Sequence, residues 1–121
     1  MILSILSLVA GIAAVAALIT VVVRLTILAM DWISNKVKEK LRQRNTQKVA
    51  VGDLNKIIQS CSNQVSVDEL ERLANSGVSH VIADVDAYGN VGEVEGVHAD
   101  SVETSVSNLI DKTGEGLVVI S

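Results

Sequence analysis

This 121-residue chain has no proline and no phenylalanine, and it has only one tryptophan, one tyrosine and one cysteine. The lone cysteine excludes an intramolecular disulfide. With so few aromatic side chains, a folded core must be built from Val, Ile, Leu and Ala, and such a core is small. A folded unit of this kind is only marginally stable by itself, which favours self-association or docking on a partner.

Residues that carry catalytic chemistry are also scarce. Cys61, His80 and His98 have no spacing that indicates a nucleophile and its base. The two histidines with Asp84 or Asp100 offer a weak metal-site pattern, for which exposed histidines on a hairpin are the commoner explanation. We therefore predict that the protein is not an enzyme and needs no cofactor.

One long stretch carries no charge at all. Residues 2–23 are apolar or small and uncharged, and Arg24 ends the run. A hydrocarbon core of about 30 Å needs roughly 20 helical residues, so this run predicts a single transmembrane anchor helix at residues 1–30. A cleavable signal peptide is the weaker alternative, because no basic segment precedes the apolar run.

The charge of the chain is divided between two regions. Residues 1–48 carry a net charge of +5 and residues 49–121 a net charge of −9. Because basic residues follow the apolar run, the positive-inside rule places the N-terminus outside and the C-terminal domain in the cytoplasm. The basic run is too short, and too poor in aromatic residues, to predict nucleic-acid binding.

The basic region has the spacing of an amphipathic helix, which we expect at residues 31–48 as a juxtamembrane helix. It would extend the anchor helix, form a short coiled-coil seam or lie along the bilayer. Several of its residues, with one at the end of the anchor, are expected to contact lipid headgroups. These are Arg24, Trp32, Lys36, Lys38, Lys40, Arg42 and Arg44.

Small residues recur four positions apart within the anchor, a spacing that lets membrane helices pack closely. This face predicts self-association of the anchor and a homo-oligomer. Its members are Ser7, Gly11, Ala10, Ala14, Ala13 and Ala17.

Residues 49–121 have the pattern of a small acidic α+β domain. Helices are predicted over 54–60 and 67–75, a β-hairpin over 80–86 and 91–97, a helix over 101–112 and a buried strand over 117–120. Ser66 and Glu69 have the spacing of a capping box, and Gly77 is expected to end the second helix with a positive φ. The predicted fold is thus α+β: an anchor helix continuing into a basic helix, then helix-helix-β-hairpin-helix-strand.

The predicted hairpin contains a pattern that resembles an EF-hand calcium loop. Asp84, Asp86 and Glu95 occupy its first, third and twelfth positions, and Gly89 occupies the sixth. Tyr88 at the fifth position departs from the pattern, and the preceding segment is extended rather than helical. An acidic hairpin explains the same residues without a metal.

Together these features predict a single-pass, membrane-anchored interaction or scaffold protein. It would self-associate and present its acidic module to a protein partner, through the hairpin or an edge strand. One alternative is a small holin-like or pore-forming protein whose membrane span is the active part. The other is a calcium-responsive binding module at residues 84–95.

Overall fold

The computed structural model describes residues 11–13, 15–16, 22–43, 46–61, 66–114 and 116–121. The strands are β1 (Val22–Leu28), β2 (Lys48–Asp53), β3 (His80–Val85), β4 (Val91–Val102) and β5 (Leu117–Ile120). The helices are α1 (Met30–Leu41), α2 (Leu54–Cys61), α3 (Val67–Ala74) and α4 (Thr104–Asp111). Residues 11–13 and 15–16 are also helical.

The strands form one five-stranded sheet in the order β1-β4-β3-β2-β5. β1 runs parallel to β4, and the other neighbouring pairs are antiparallel. β3 and β4 form the predicted hairpin, whose register shifts between Ala83 and Val85. This order leaves β1 and β5 at the two edges of the sheet.

Helices cover both faces of the sheet, which gives three layers. On one face, α2, α3 and the helical residues 11–13 and 15–16 pack over a core that includes Ala50 and Ala83. On the other face, α1 and α4 pack over a core that includes Val49, Val51 and Ile82. β2 is therefore buried on both sides, as its run of small apolar residues allows.

Gly116 allows the segment before β5 to pass directly against α2. Its φ is +87°, and a Cβ atom there would lie 2.6 Å from the Cβ of Lys56. The Gly116 carbonyl accepts the Asp53 N–H at 2.8 Å, where β2 ends and α2 begins. A residue with a side chain would push these two segments apart.

The structure differs from the predicted anchor at its C-terminal end. Residues 22–28 are strand β1 rather than helix, so no single helix runs from the apolar region into α1. Val, Thr and Ile dominate this segment, and β-branched residues favour strands when a neighbouring strand accepts their backbone hydrogen bonds. Among the described residues, no helix is both long enough and apolar enough to cross a membrane. Residues 1–10, 14 and 17–21 of the predicted anchor lie outside the described residues.

The basic helix is shorter than predicted, and it packs on the sheet instead of extending an anchor helix. α1 ends at Leu41, and the chain enters β2 at Lys48. The apolar side of α1 packs on the sheet through the buried residues Ile33 and Val37. Glu103 holds its start, because the Glu103 carboxylate accepts the Met30 N–H at 2.7 Å.

The mixed α+β class of the chain is confirmed, and the later elements follow the predicted order. The two helices, the hairpin, the next helix and the last strand appear as α2, α3, β3–β4, α4 and β5. Ser66 accepts the Glu69 N–H at 3.1 Å as the capping box requires, and Gly77 has a φ of 76°. β1 and β2 were not predicted.

Candidate interaction edge at the first strand

β1 lies at one edge of the sheet. Its seven residues run alongside β4, from Val22 opposite Gly96 to Leu28 opposite Val102. No second strand in the described part of the chain pairs with β1. A strand in this position presents a row of unpaired N–H and C=O groups at the sheet edge.

Two hydrogen bonds show which backbone groups of β1 point outward. The Leu28 carbonyl accepts the Glu103 N–H at 3.0 Å, and the Thr26 carbonyl accepts the Ser101 hydroxyl at 3.3 Å. Both carbonyls therefore point toward β4. Since successive residues of a strand direct their backbone groups to opposite sides, the alternate residues point away from β4. These outward residues are Val23, Leu25 and Ile27.

The side chains of the outward residues form an apolar row on the α1 side of the sheet. Leu25 packs partly against the core beneath α1, and Val23 is half-buried. Ile27 is 53 % exposed, one of the most exposed large apolar side chains in the described residues. An apolar row beside backbone groups that no other described strand pairs with has the composition of a strand-pairing surface.

The opposite side of the same edge is polar. Arg24 and Thr26 are exposed there, and Arg24 lies opposite His98 of β4. Together with Leu25 and Asp100 they line a cleft of about 180 Å³. His98 Nδ1 is 2.6 Å from the Gly77 carbonyl oxygen, and its Nε2 is 3.6 Å from Asp100 Oδ1. A cation on β1 thus lies near a carboxylate on β4.

The β1 edge lacks most of the features that keep sheet edges from pairing. Proteins protect such edges with proline, lysine, bulges or a very short strand. The chain has no proline, and β1 is seven residues long with Arg24 as its single charge. The opposite edge strand, β5, has only four residues. β1 is therefore the edge better suited to binding another strand.

A second polar site joins α1 to the hairpin. The Lys40 ammonium nitrogen lies 2.9 Å from Asp84 Oδ1 and 3.5 Å from Glu95 Oε1, and Lys36 Nζ lies 3.2 Å from Glu95 Oε2. Burial by itself would lower the pKa of Lys40. The hydrogen bond to Asp84 and the negative charges of Asp84, Glu95 and Glu93 outweigh burial and raise the pKa above its ordinary value. Lys40 therefore stays charged inside the fold.

This ionic cluster corrects the predicted lipid contact of Lys40. Lys40 is only 2 % exposed, so its ammonium group contacts carboxylates rather than lipid headgroups. Trp32 packs partly against the core beneath α1, and Lys36 Nζ lies 6.0 Å from the centroid of the Trp32 ring. The remaining predicted contacts that are described lie at the surface, and Arg44 lies outside the described residues. These surface residues are Arg24, Lys38 and Arg42.

The three predicted calcium ligands have other partners. Asp84 and Glu95 face Lys40, whereas the Asp86 carboxylate accepts the N–H groups of Tyr88 and Asn90, each at 2.9 Å. These backbone hydrogen bonds lower the pKa of Asp86, the bond from Asn90 most. The described residues hold no group of three or more His, Cys, Asp or Glu side chains placed to bind a metal ion. The EF-hand arrangement is thus not formed, because Asp84 and Glu95 pair with Lys40 while Asp86 accepts N–H groups within its own turn.

Two residues of the predicted self-association face, Gly11 and Ala13, are described, and both pack against the sheet of the same chain. Ala13 is fully buried in the core against the sheet, and a Cβ atom on Gly11 would lie 3.4 Å from Val91. Small residues allow this close approach to the sheet just as they would to another helix. Ser7, Ala10, Ala14 and Ala17 lie outside the described residues.

Comparison of the chain with protein-family models, with curated proteins and with solved structures finds no match. The candidate site therefore rests on its geometry. The β1 edge was not predicted, although the β-branched residues around Arg24 were a signal for it. That signal was masked because Val22 and Val23 also end the long apolar run.

Proposed function

We propose that this protein is an interaction module that binds a protein partner by adding a strand to the open edge of β1. The outward N–H and C=O groups of Val23, Leu25 and Ile27 carry this proposal. In such binding, main-chain hydrogen bonds supply the affinity, and alternate side chains supply the specificity. The proposal assigns the scaffold function expected from the sequence to this edge.

The rest of the sheet supports this use of β1. β4, which carries β1, is hydrogen-bonded to β3 on its other side, and helices cover both faces of the sheet. A rigid sheet holds its edge strand in an extended conformation before a partner arrives. Less conformational entropy is then lost when a second strand binds.

Amide hydrogen exchange of the full chain in mild detergent tests this function. The probe is a synthetic peptide with the β1 sequence, residues 22–28, added in excess to the dilute protein. We expect the amides of Val23, Leu25 and Ile27 to exchange about tenfold more slowly with the peptide, because each gains a hydrogen-bond partner. The control peptide carries proline at the Leu25 position and lacks that N–H donor.

Two results would contradict the proposed function. One is no change in exchange at the three amides with excess β1 peptide. The other is strong protection of the same amides without peptide, in protein whose measured mass is that of a monomer, since the edge would then be covered by the chain itself.

Membrane association of the chain, with residues 49–121 in the cytoplasm, is a separate proposal that rests on the apolar run and the basic residues after it. It does not include residues 22–28, which form β1. Protease protection in sealed membrane vesicles tests it. Digestion of the C-terminal domain from the extracytoplasmic side would contradict this topology.

A further inference from the structure

We propose that the strand added to β1 is β1 of a second copy, paired antiparallel about a two-fold axis at Leu25. This inference rests on the proposed function and names its partner. A two-fold interface places the same surface on both copies, so the surface must complement itself. β1 meets this condition in its backbone groups, its apolar row and its charge.

The backbone groups are symmetric about Leu25. The outward residues Val23 and Ile27 lie two positions before and two positions after it. A two-fold axis at Leu25 therefore pairs Val23 with Ile27 of the other copy and Leu25 with its own counterpart. Each such pair exchanges both N–H···O bonds, and all three outward residues are used. An axis at Arg24 or Thr26 would leave one of them without a partner in β1.

The apolar row is self-complementary in the same register. Ile27, which is 53 % exposed, would lie directly beside Val23 of the second copy. β-branched pairs of this kind stabilise neighbouring strands. The two rows would continue across the interface as one apolar surface on the α1 side of the sheet.

Charge favours this register as well. On the polar side, the axis at Leu25 places Arg24 opposite Thr26 of the second copy, so the two arginines do not face each other. Beyond Thr26 lies the neighbouring strand β4 with the exposed Asp100, which a guanidinium on a long side chain can reach. An axis at Arg24 would instead oppose two like charges, which is destabilising.

The mass of the full chain in mild detergent, measured over a range of protein concentrations, tests the inference. We expect a monomer–dimer equilibrium that the substitution Ile27→Lys weakens by about tenfold or more, since it places an ammonium against Val23 of the other copy. Val67→Lys is the matched control, because Val67 is also a large exposed apolar residue, 71 % exposed, on α3. Val67→Lys should leave the dimer unchanged.

Disulfide trapping tests the register without relying on the folding of the lysine variant. In a Cys61→Ser background, Leu25→Cys should form a covalent dimer under a mild oxidant, because hydrogen-bonded antiparallel pairs have Cα atoms about 5.5 Å apart. Arg24→Cys should trap far less, since its counterpart lies two positions along the strand.

The outcomes separate this inference from the proposed function. A chain that stays monomeric at all concentrations, yet is protected by the β1 peptide, would overturn the second copy as partner and leave strand addition standing. A dimer that Ile27→Lys does not weaken, or that Arg24→Cys traps as well as Leu25→Cys does, would also overturn the inference.

Discussion

Lys40 Nζ and Asp84 Oδ1 lie 2.9 Å apart and connect α1 to β3 at a point where the lysine side chain is 3 % exposed. Glu95 on β4 completes the contact. Lys40, which was expected at a membrane surface, is thus the counterion of Asp84 and Glu95, which were expected at a calcium site. α1 is held on the sheet by this pairing as well as by its apolar side.

Substitution of Lys40 tests the importance of this pairing. Lys40→Met should lower the free energy of unfolding by about 3 kcal/mol, because it leaves Asp84 and Glu95 partly buried without their main cation. Urea denaturation followed by Trp32 fluorescence measures the change. Lys38→Met, an exposed lysine on the same helix, should change it by less than about 0.5 kcal/mol. Equal effects of the two substitutions would contradict a structural role for the ion pair.

Substitution of Gly116 tests the close approach between α2 and the segment before β5. Gly114 is the matched control, since it also has a positive φ, of 74°, but an added Cβ there meets nothing within 4 Å. Gly114→Ala should cost about 1–2 kcal/mol from backbone strain alone. Gly116→Ala should lower the melting temperature clearly further, because the new methyl group collides with Lys56. Similar melting temperatures for the two variants would show that α2 moves aside freely.

Stability should fall in mild acid because of His80. Burial is the main cause that lowers the pKa of His80, and Lys56 adds to it against the opposing charge of Asp53. The unfolded chain therefore takes up this proton more readily than the folded one. The contribution of His80 to the free energy of unfolding is complete above the ordinary histidine pKa of about 6.5. It is lost as the pH falls below that value, at no more than about 1.4 kcal/mol per pH unit.

Unfolding titrations between pH 7.5 and 5 measure this dependence. We expect His80→Gln to have a shallower pH dependence than the unsubstituted protein. His98→Gln, at a histidine whose side chain is 40 % exposed, is the matched substitution with which the slope of His80→Gln is compared. Identical slopes for His80→Gln and the unsubstituted protein would rule out His80 as the source.

The hairpin turn should depend on the Asp86 carboxylate. Asp86→Ala removes the acceptor of the Tyr88 and Asn90 N–H groups and should lower the melting temperature. Because these bonds lower the pKa of Asp86, their contribution is present at neutral pH and is lost as the pH falls through that lowered pKa. Thermal unfolding compared with Glu71→Ala, an exposed acidic residue on α3, measures the effect. An equal loss for Glu71→Ala would contradict this account.

Local signals in the sequence were sufficient for the second half of the fold. The Ser66–Glu69 capping box and the positive φ of Gly77 involve residues close together in the chain, and both are found as predicted. The hairpin and β5 were predicted from alternation and from an apolar run between glycines. Such features are set by neighbours within a few residues.

Features that depend on distant partners were missed. β1 is a strand because β4 lies beside it, and nothing near Val22 in the sequence indicates that partner. Lys40 is buried because its counterions come from β3 and β4, whereas periodicity alone placed it on a charged surface. β2 was hidden because its short run of valine and alanine begins where the basic helix predicted at residues 31–48 was expected to end.

The pairing of β1 with β4 also sets the order of events during biosynthesis. Val22 is made 74 residues before its partner Gly96. At roughly 5–20 residues per second, the nascent chain carries an apolar strand with neither edge occupied for several seconds. β1 therefore cannot join the sheet until β4 has been made, and newly made chains should bind chaperones through it.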